Sequence, residues 1–169
     1  EERSRAGRMD AITARRTYVI TAFTELGLPE VTAIQVADLF SRLRIDNMAL
    51  LPNTIETLTQ LQKQKYKMAL LTNGDSVGQR AKITRFGLEK YFDLILIEEE
   101  MGYGKPDPRV FQLALKEMHT HPENALMIGD NLVWDVSGAQ AAGIKAIWFN
   151  WRKASPQKIS LPQEVGMVP

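Results

Sequence analysis

The sequence contains no cysteine and few histidines, and these absences limit the chemistry that it can support. Zero cysteines among 169 residues exclude a disulfide framework and every thiolate metal site. With only two histidines, a zinc centre has too few of its usual ligands. A chain without disulfides fits a reducing compartment, so we expect a cytoplasmic location.

The sequence also lacks a strong charge of either sign and a long hydrophobic run. Twenty-one Lys and Arg against 20 Asp and Glu give a formal net charge of +1, so we expect neither nucleic acid nor membrane as a partner. No apolar run approaches the roughly 20 residues of a spanning helix, and Glu1–Arg5 lacks the apolar stretch of a signal peptide. The composition, 44% hydrophobic and 24% charged, is that of a globular domain.

The chain divides into two unequal parts near residue 51. Residues 1–50 are expected to form a small all-helical segment, because apolar residues recur at helical intervals over Ala11–Leu26 and Thr32–Leu43. Residues 51–169 alternate short apolar runs with amphipathic stretches, which predicts βα units around a parallel sheet. The predicted fold class is therefore α/β, with a helical segment in front of the core.

The second part is predicted to contain four strands and four helices. The apolar runs that predict strands are Lys67–Thr72, Leu94–Ile97, Ala125–Ile128 and Lys145–Phe149. The amphipathic stretches that predict helices are Asn53–Gln64, Val77–Phe86, Pro108–Glu117 and Val133–Ala142. Asp75 precedes the second of these helices and is expected to cap it.

Polar residues follow the predicted strands, and they should meet at one edge of the sheet. In an open parallel sheet, ligands bind beyond the carboxyl ends of the strands. Thr72 follows the first strand, Asp130 follows the third, and the second leads through Glu98–Glu100 to Lys105. A hydroxyl, a cation and carboxylates suit a phosphoryl group and a hard divalent cation. Thr72 with its neighbouring backbone N–H groups and Lys105 are therefore candidate phosphate ligands, and Asp130 is a candidate Mg²⁺ ligand.

These residues also have ordinary structural interpretations. Thr72 fits the end of a strand before a turn at Asn73-Gly74, and Lys105 fits an exposed loop. Asp130 is harder to explain in this way, because a carboxylate at the end of a buried strand costs free energy unless it is paired or metal-bound. The run Glu98–Glu100 is interpreted as solvated.

Three segments, Leu70–Gly74, Gly104–Pro108 and Ile128–Asp135, occur in an order and spacing that resemble the second, third and fourth motifs of the haloacid dehalogenase (HAD) superfamily. The similarity extends over about Leu51–Asn150. It implies a Rossmann-like core and a Mg²⁺-dependent phosphohydrolase that uses an aspartyl-phosphate intermediate on a small phosphorylated metabolite. Residues 1–50 would then resemble the small helical cap that many members insert after the first strand.

The resemblance also implies a role for each site residue. Thr72 and Asn73 would hold the phosphate, Lys105 would neutralise its charge, and Asp130 would bind Mg²⁺. Asp135 would either hold Lys105 or assist the metal shell through water, although an acid in the first turn of a helix also complements the helix dipole. The predicted catalytic residues are thus Lys105, Asp130 and Asp135.

The first motif of that family, an Asp-x-Asp pair at the end of the first core strand, is absent from this sequence. No two aspartates are two residues apart; they are Asp10, Asp38, Asp46, Asp75, Asp93, Asp107, Asp130 and Asp135. In the family this strand lies between those that correspond to Ala125–Ile128 and Lys67–Thr72. We expect a segment upstream of Glu1 to carry the nucleophile, and these residues alone to hydrolyse phosphate very slowly. The alternative is a shortened protein whose sheet has closed up or takes a strand from a partner.

Two other functions stay open. A dehalogenase-type or phosphonate hydrolase would keep the fold and cleave a different bond, although a dehalogenase has no need of Asp130 and Asp135 as a Mg²⁺ site. A catalytically inactive phosphate-binding or protein-interaction module is the second, since the nucleophile is missing. An uncovered sheet edge would also favour a homodimer.

Overall fold

The computed structural model describes residues 11–152. By internal contacts the chain divides into two compact units, Glu1–Thr54 and Ile55–Pro169. No helix in the described part of the chain is both long and apolar enough to cross a membrane. The α-helices are α1 Ala11–Glu25, α2 Glu30–Asp46, α3 Thr54–Lys63, α4 Ser76–Arg85, α5 Glu98–Met101, α6 Pro108–Glu117 and α7 Gly138–Ala141. The strands are β1 Ala69–Thr72, β2 Leu94–Ile97, β3 Leu126–Gly129 and β4 Lys145–Trp148.

The first unit contains the antiparallel helices α1 and α2. Ala33, Ala37 and Ser41 are buried on α2 at intervals of four residues, so they form one stripe of small side chains against which α1 packs. Arg15 Nη1 donates to Ser41 Oγ at 2.7 Å and ties the two helices together. Larger apolar residues of this unit remain exposed, among them Phe40 at 56%.

The second unit contains the four strands in two parallel pairs. Residue Ala69 of β1 lies opposite Leu94 of β2, and Leu126 of β3 lies opposite Lys145 of β4. The predicted parallel pairing is confirmed, but the sheet is not continuous: between residues 11 and 152, β1 bonds only to β2 and β3 only to β4.

The core of the second unit is built around α6. Val110, Phe111 and Ala114 form the buried face of this helix, and Val110 and Phe111 are each only 1% exposed. They pack with Leu96 of β2 and with residues near α7 in one hydrophobic cluster. Full burial of a side chain such as Phe111 contributes about 1.5–3 kcal/mol, so α6 is a main anchor of the fold.

The predicted helix Val133–Ala142 is wrong in form. Its first part is a π-helix, Leu132–Ser137, and only Gly138–Ala141 is α-helical. The amide of Val136 donates to the carbonyl of Asn131, five residues earlier, at 3.2 Å. Such a wide turn is uncommon and often occurs at functional sites. The π-helical part is only six residues long, which is too short for apolar periodicity to distinguish the two helix types.

Candidate functional site

A buried ion pair joins the two strand pairs at their carboxyl ends. Lys105 Nζ lies 2.7 Å from Asp135 Oδ1, and the two side chains are only 12% and 6% exposed. Lys105 lies in the loop between α5 and α6, whereas Asp135 lies in the π-helix after β3. The structure thus brings together two residues that are 30 positions apart in sequence and were both predicted to be catalytic. A buried ammonium is tolerated here because its charge is paired.

Asp135 is held from a second side by the backbone after β3. Its Oδ2 accepts from the amide N–H of Asn131 at 2.9 Å. The side chain of Asn131 in turn caps the π-helix by accepting from the amides of Val133 and Trp134. A Cβ added to Gly129 would overlap the Asp135 carboxylate, so this carboxylate can pack onto the end of β3 only because residue 129 is glycine. Both oxygens of Asp135 are therefore engaged.

Asn73 connects the end of β1 to the Lys105 loop. Its Oδ1 accepts from the Lys105 amide at 2.9 Å, and its Nδ2 donates to the Lys105 carbonyl at 2.7 Å. Thr72, the last residue of β1, is partly buried beside it, with its hydroxyl 3.5 Å from the Asn73 carbonyl oxygen. Thr72, Asn73 and Lys105 are therefore neighbours, as the sequence predicted.

Glu98 is a site residue that the sequence interpretation missed. The run Glu98–Glu100 was interpreted as solvated, but Glu98 is only 8% exposed, and that interpretation is wrong for it. Its Oε2 accepts from the Gly74 amide at 3.0 Å, so it braces the loop after β1. Its position directly after a buried strand was the available signal, and the same signal had selected Asp130.

The other two acids of this run bind the start of α4. Glu99 Oε2 accepts from the Ser76 amide at 2.7 Å, and Glu100 forms an ion pair with Arg80 at 2.7 Å. The hydrogen bonds from Arg80 and then from Ser76 lower the pKa of Glu100 to about 2. Asp75 caps the same helix by accepting from the Gly78 amide, as predicted. This network fixes the loop after β1 from its solvent side.

Asp130 lies at the carboxyl end of β3 and differs from Asp135 in being exposed. Trp148 donates its indole N–H to the Asp130 carbonyl oxygen at 3.1 Å, and Trp151 donates to Asp130 Oδ2 at 3.1 Å. The carboxylate is therefore oriented by the chain after β4 while it faces solvent.

A divalent cation needs oxygen ligands, and the two aspartates after β3 are not equally suited to it. Asp135 is engaged by Lys105 and Asn131, so the exposed Asp130 is the better candidate. Within residues 11–152 no group of three or more acidic, His or Cys side chains is arranged to hold a metal. Mg²⁺ is often bound by only one or two carboxylates together with substrate phosphate and water. A single carboxylate therefore fits part of such a site.

Comparison with known proteins gives consistent matches. The family model described as "Haloacid dehalogenase-like hydrolase" matches residues 16–149. A phosphoserine phosphatase from Thermus thermophilus is 43% identical over 124 residues, which are 73% of this chain and 49% of that protein. A glyceraldehyde 3-phosphate phosphatase from Pyrococcus furiosus is 37% identical over 102 residues, which are 60% of this chain and 42% of that protein. The chain thus spans about half the length of the curated relatives it matches.

Solved structures show the same fold. A 2-haloacid dehalogenase from Pseudomonas syringae pv. Tomato has a TM-score of 0.61 at 30% identity, over 90% of this chain and 65% of that one. The HAD-hydrolase YfnB from Bacillus subtilis, whose crystal structure contains bound magnesium, has a TM-score of 0.68 at 25% identity. The match covers 85% of this chain and 64% of that one. The two parallel strand pairs and their helices therefore correspond to a Rossmann-like α/β core.

Proposed function

This chain belongs to the haloacid dehalogenase-like hydrolase family, and on that premise we propose that it acts in a Mg²⁺-dependent phosphatase of a small phosphorylated metabolite. The observation that carries the proposal is the buried Lys105–Asp135 ion pair, whose two residues are hydrogen-bonded to Asn73 and Asn131, the residues that follow Thr72 and Asp130. Phosphoryl transfer depends mainly on positioning and on electrostatic stabilisation of negative charge. These residues offer a cation, a hydroxyl and a carboxylate for those purposes.

In the proposed reaction each residue has one task. Thr72 donates its hydroxyl to a phosphate oxygen, and the backbone N–H of Asn73 contributes to the same subsite. Lys105 neutralises phosphate charge, and Asp135 keeps the Lys105 ammonium in place at 2.7 Å. Asp130 is the proposed metal ligand of this chain, and bound Mg²⁺ would neutralise further negative charge on the phosphate.

We place the nucleophilic aspartate in a segment upstream of Glu1. Two observations support this part of the proposal: β1 and β3 do not bond to each other in the described structure, and the relatives are about twice as long as their matched regions. A parallel strand between β1 and β3 would place its carboxyl end between Thr72 and Asp130. The described chain on its own would then have little or no hydrolytic activity.

The names of the relatives favour phosphate as the group that is hydrolysed. They act on phosphoserine and on glyceraldehyde 3-phosphate, and both are small phosphorylated metabolites. Cleavage of a carbon–halogen bond is the second candidate, because a 2-haloacid dehalogenase has a similar fold at 30% identity. Asp130 favours the phosphatase, since an exposed carboxylate at this edge suits a metal ion and a dehalogenase has no need of one.

We further propose a cytoplasmic location and a homodimer. The absence of cysteine suits the reducing cytoplasm. The open side of β3, where Leu126 and Ile128 are 55% and 56% exposed, is a surface that a second copy or an upstream segment would cover. Sedimentation of the full-length protein distinguishes these two occupants, because only a second copy doubles the mass of the sedimenting particle.

The test is hydrolysis of a generic aryl phosphate by the full-length protein, with and without Mg²⁺. We expect activity that needs Mg²⁺, and we expect Asp130→Asn to abolish it. Asp93→Asn is the matched control, because Asp93 lies at the amino end of β2, where its Oδ2 accepts from the Met68 amide. Inactivity of the full-length protein with every phosphoester and metal would favour the binding-module function, whereas activity on a 2-haloacid alone would favour the dehalogenase.

A further inference from the structure

We infer that Asn73 is a positioning residue for Lys105, and that its side chain acts through the lysine backbone instead of serving chiefly as a phosphate ligand. The inference rests on the proposed function, because it concerns how the lysine of that site is held. The observation behind it is a pair of hydrogen bonds between one side chain and one residue that lies 32 positions further along the chain.

The carboxamide of Asn73 bonds to both backbone groups of Lys105. Oδ1 accepts from the Lys105 N–H at 2.9 Å, and Nδ2 donates to the Lys105 carbonyl at 2.7 Å. The two bonds together fix the plane of the carboxamide and the direction of the lysine backbone. One N–H and one lone pair of the carboxamide are left, so direct contact with phosphate is the competing role that an experiment has to separate.

Asn73 is itself held by its neighbours. Gln79 Nε2 donates to the Asn73 carbonyl at 2.7 Å, and buried Glu98 accepts from the Gly74 amide at 3.0 Å. A Cβ added to Gly104 would lie 2.7 Å from Asn73 Oδ1 and 2.6 Å from Glu98 Cγ, so residue 104 has to be glycine for the loop to come this close. The backbone at Asn73 and Gly74, which carries the carboxamide, is thus supported by α4 on one side and by α5 on the other.

The consequence concerns the ammonium of Lys105. A lysine side chain has a flexible four-carbon stem and many rotamers, yet this ammonium must remain 2.7 Å from Asp135 Oδ1 in a largely buried position. Fixing the lysine backbone from β1 restricts the positions that the ammonium can reach. Asn73 therefore links the end of β1 to the acid that follows β3, through Lys105.

A double-mutant cycle in the full-length protein tests this role. Asn73→Ala should lower kcat/KM for an aryl phosphate by about ten- to a hundredfold, the effect of losing two hydrogen bonds. In a Lys105→Ala background the same substitution should change kcat/KM less than about twofold, because the residue through which it acts is gone. An equal loss in both backgrounds would overturn the inference in favour of direct phosphate contact. Asn124→Ala, an exposed asparagine before β3, is the matched control and should leave kcat/KM unchanged in both.

Amide hydrogen exchange gives a second reading that needs no turnover. Asn73→Ala should speed exchange of the Lys105 amide at least about tenfold, since a donor loses its acceptor. Asn73→Asp, which keeps an acceptor of the same size, should speed it less. Unchanged exchange in Asn73→Ala would overturn the inference even if the enzyme is active. If the protein hydrolyses no phosphoester, the proposed function fails, and faster Lys105 exchange would still support the positioning contact.

Discussion

The two parallel strand pairs of the core differ in how completely they are buried. In β1–β2, Leu96 and Ile97 are 8% and 0% exposed, and the residues of β1 are all partly buried. In β3–β4 every second residue faces solvent, with Leu126, Ile128 and Ile147 exposed by 55%, 56% and 42%. Strands of parallel sheets are normally covered on both faces. The second pair therefore presents an apolar face that the described chain leaves open.

The two pairs also contribute different chemistry. The carboxyl end of β1–β2 supplies Thr72, Asn73 and Glu98, whose contacts arrange the loop after β1 and the Lys105 loop. The carboxyl end of β3–β4 supplies the acids Asp130 and Asp135. No backbone bond within residues 11–152 joins β1 to β3, so side chains connect the two halves of the site. Packing and chemistry are therefore shared unequally between the pairs, with Asp130 and Asp135 on the less covered one.

The largest expected effect comes from breaking the contact between the pairs. Asp135→Ala should lower the free energy of unfolding by about 3–5 kcal/mol, because it leaves the Lys105 ammonium buried without its partner. Urea denaturation of this chain measures the change. A double variant, Lys105→Met with Asp135→Leu, removes both charges and should recover most of the loss. A loss below about 1 kcal/mol in Asp135→Ala, the range of exposed ion pairs, would mean that the two pairs are held together elsewhere.

The next effect compares the pairs directly. Leu96→Ala in β2 should cost about 2–5 kcal/mol, as a buried leucine does. Leu126→Ala in β3 should change the stability of this chain by no more than about 0.5 kcal/mol, because that side chain is mostly exposed. Chemical denaturation of the matched Leu→Ala variants gives both values. If the proposed upstream segment covers Leu126, then Leu126→Ala should become clearly destabilising in the full-length protein. An equal change in the free energy of unfolding in this chain and in the full-length protein would contradict the proposal that the upstream segment covers β3.

A smaller effect is expected inside the second pair. Gly129→Ala should cost about 1–3 kcal/mol, because the new methyl group overlaps the Asp135 carboxylate and forces it to move. Thermal unfolding measures the cost. Combining Gly129→Ala with Asp135→Gly is the control, since the new methyl group lies as close to the Asp135 Cβ as to its carboxylate and only glycine removes both; the double variant should be no less stable than Asp135→Gly alone. If the losses of stability from the two substitutions add, the strain caused by Gly129→Ala lies in the backbone of β3 and not in the contact with Asp135.

The smallest effect is expected on the solvent side of the first pair. The pKa of Glu100, about 2 in the folded chain against an ordinary 4.5, is lowered mainly by the hydrogen bond from Arg80. A lowered pKa stabilises the fold above pH 4.5, and that contribution is lost as the pH falls from 4.5 to about 2. Arg80→Ala should raise the Glu100 pKa towards 4.5 in an NMR titration, at a cost below about 1 kcal/mol at neutral pH. An unchanged pKa would assign the shift to Ser76.

Much of the fold could be predicted because local patterns carry it. Strand β2 and helix α6 begin and end where the apolar pattern places them, and the family suggested by three motifs is confirmed. The pairing of Lys105 with Asp135 was one of two roles open to that acid, and the structure shows the contact. The roles of Thr72 in phosphate binding and of Asp130 in metal binding stay predictions, since both depend on ligands.

What sequence patterns did not predict depends on contacts between distant segments. Glu98 is the same type of residue as the solvated Glu99 beside it. Only the loop after β1, whose Gly74 amide comes within hydrogen-bond distance, makes Glu98 a buried acceptor. The bonds between Asn73 and Lys105 require that a loop 32 residues away pass within hydrogen-bond distance of β1. The π-helical turn that aims Asp135 at Lys105 likewise has no periodic signal of its own.

The sequence by itself determined the α/β class, the strands and the order of the motifs, because apolar spacing and short motifs act over a few residues. It also determined that an Asp-x-Asp pair is absent from these 169 residues. Only the tertiary structure decided that the strands form two separate pairs and that Lys105 joins them through Asp135. The physical reason is that a buried charge must find a partner in space, and local sequence spacing does not specify which distant partner it meets.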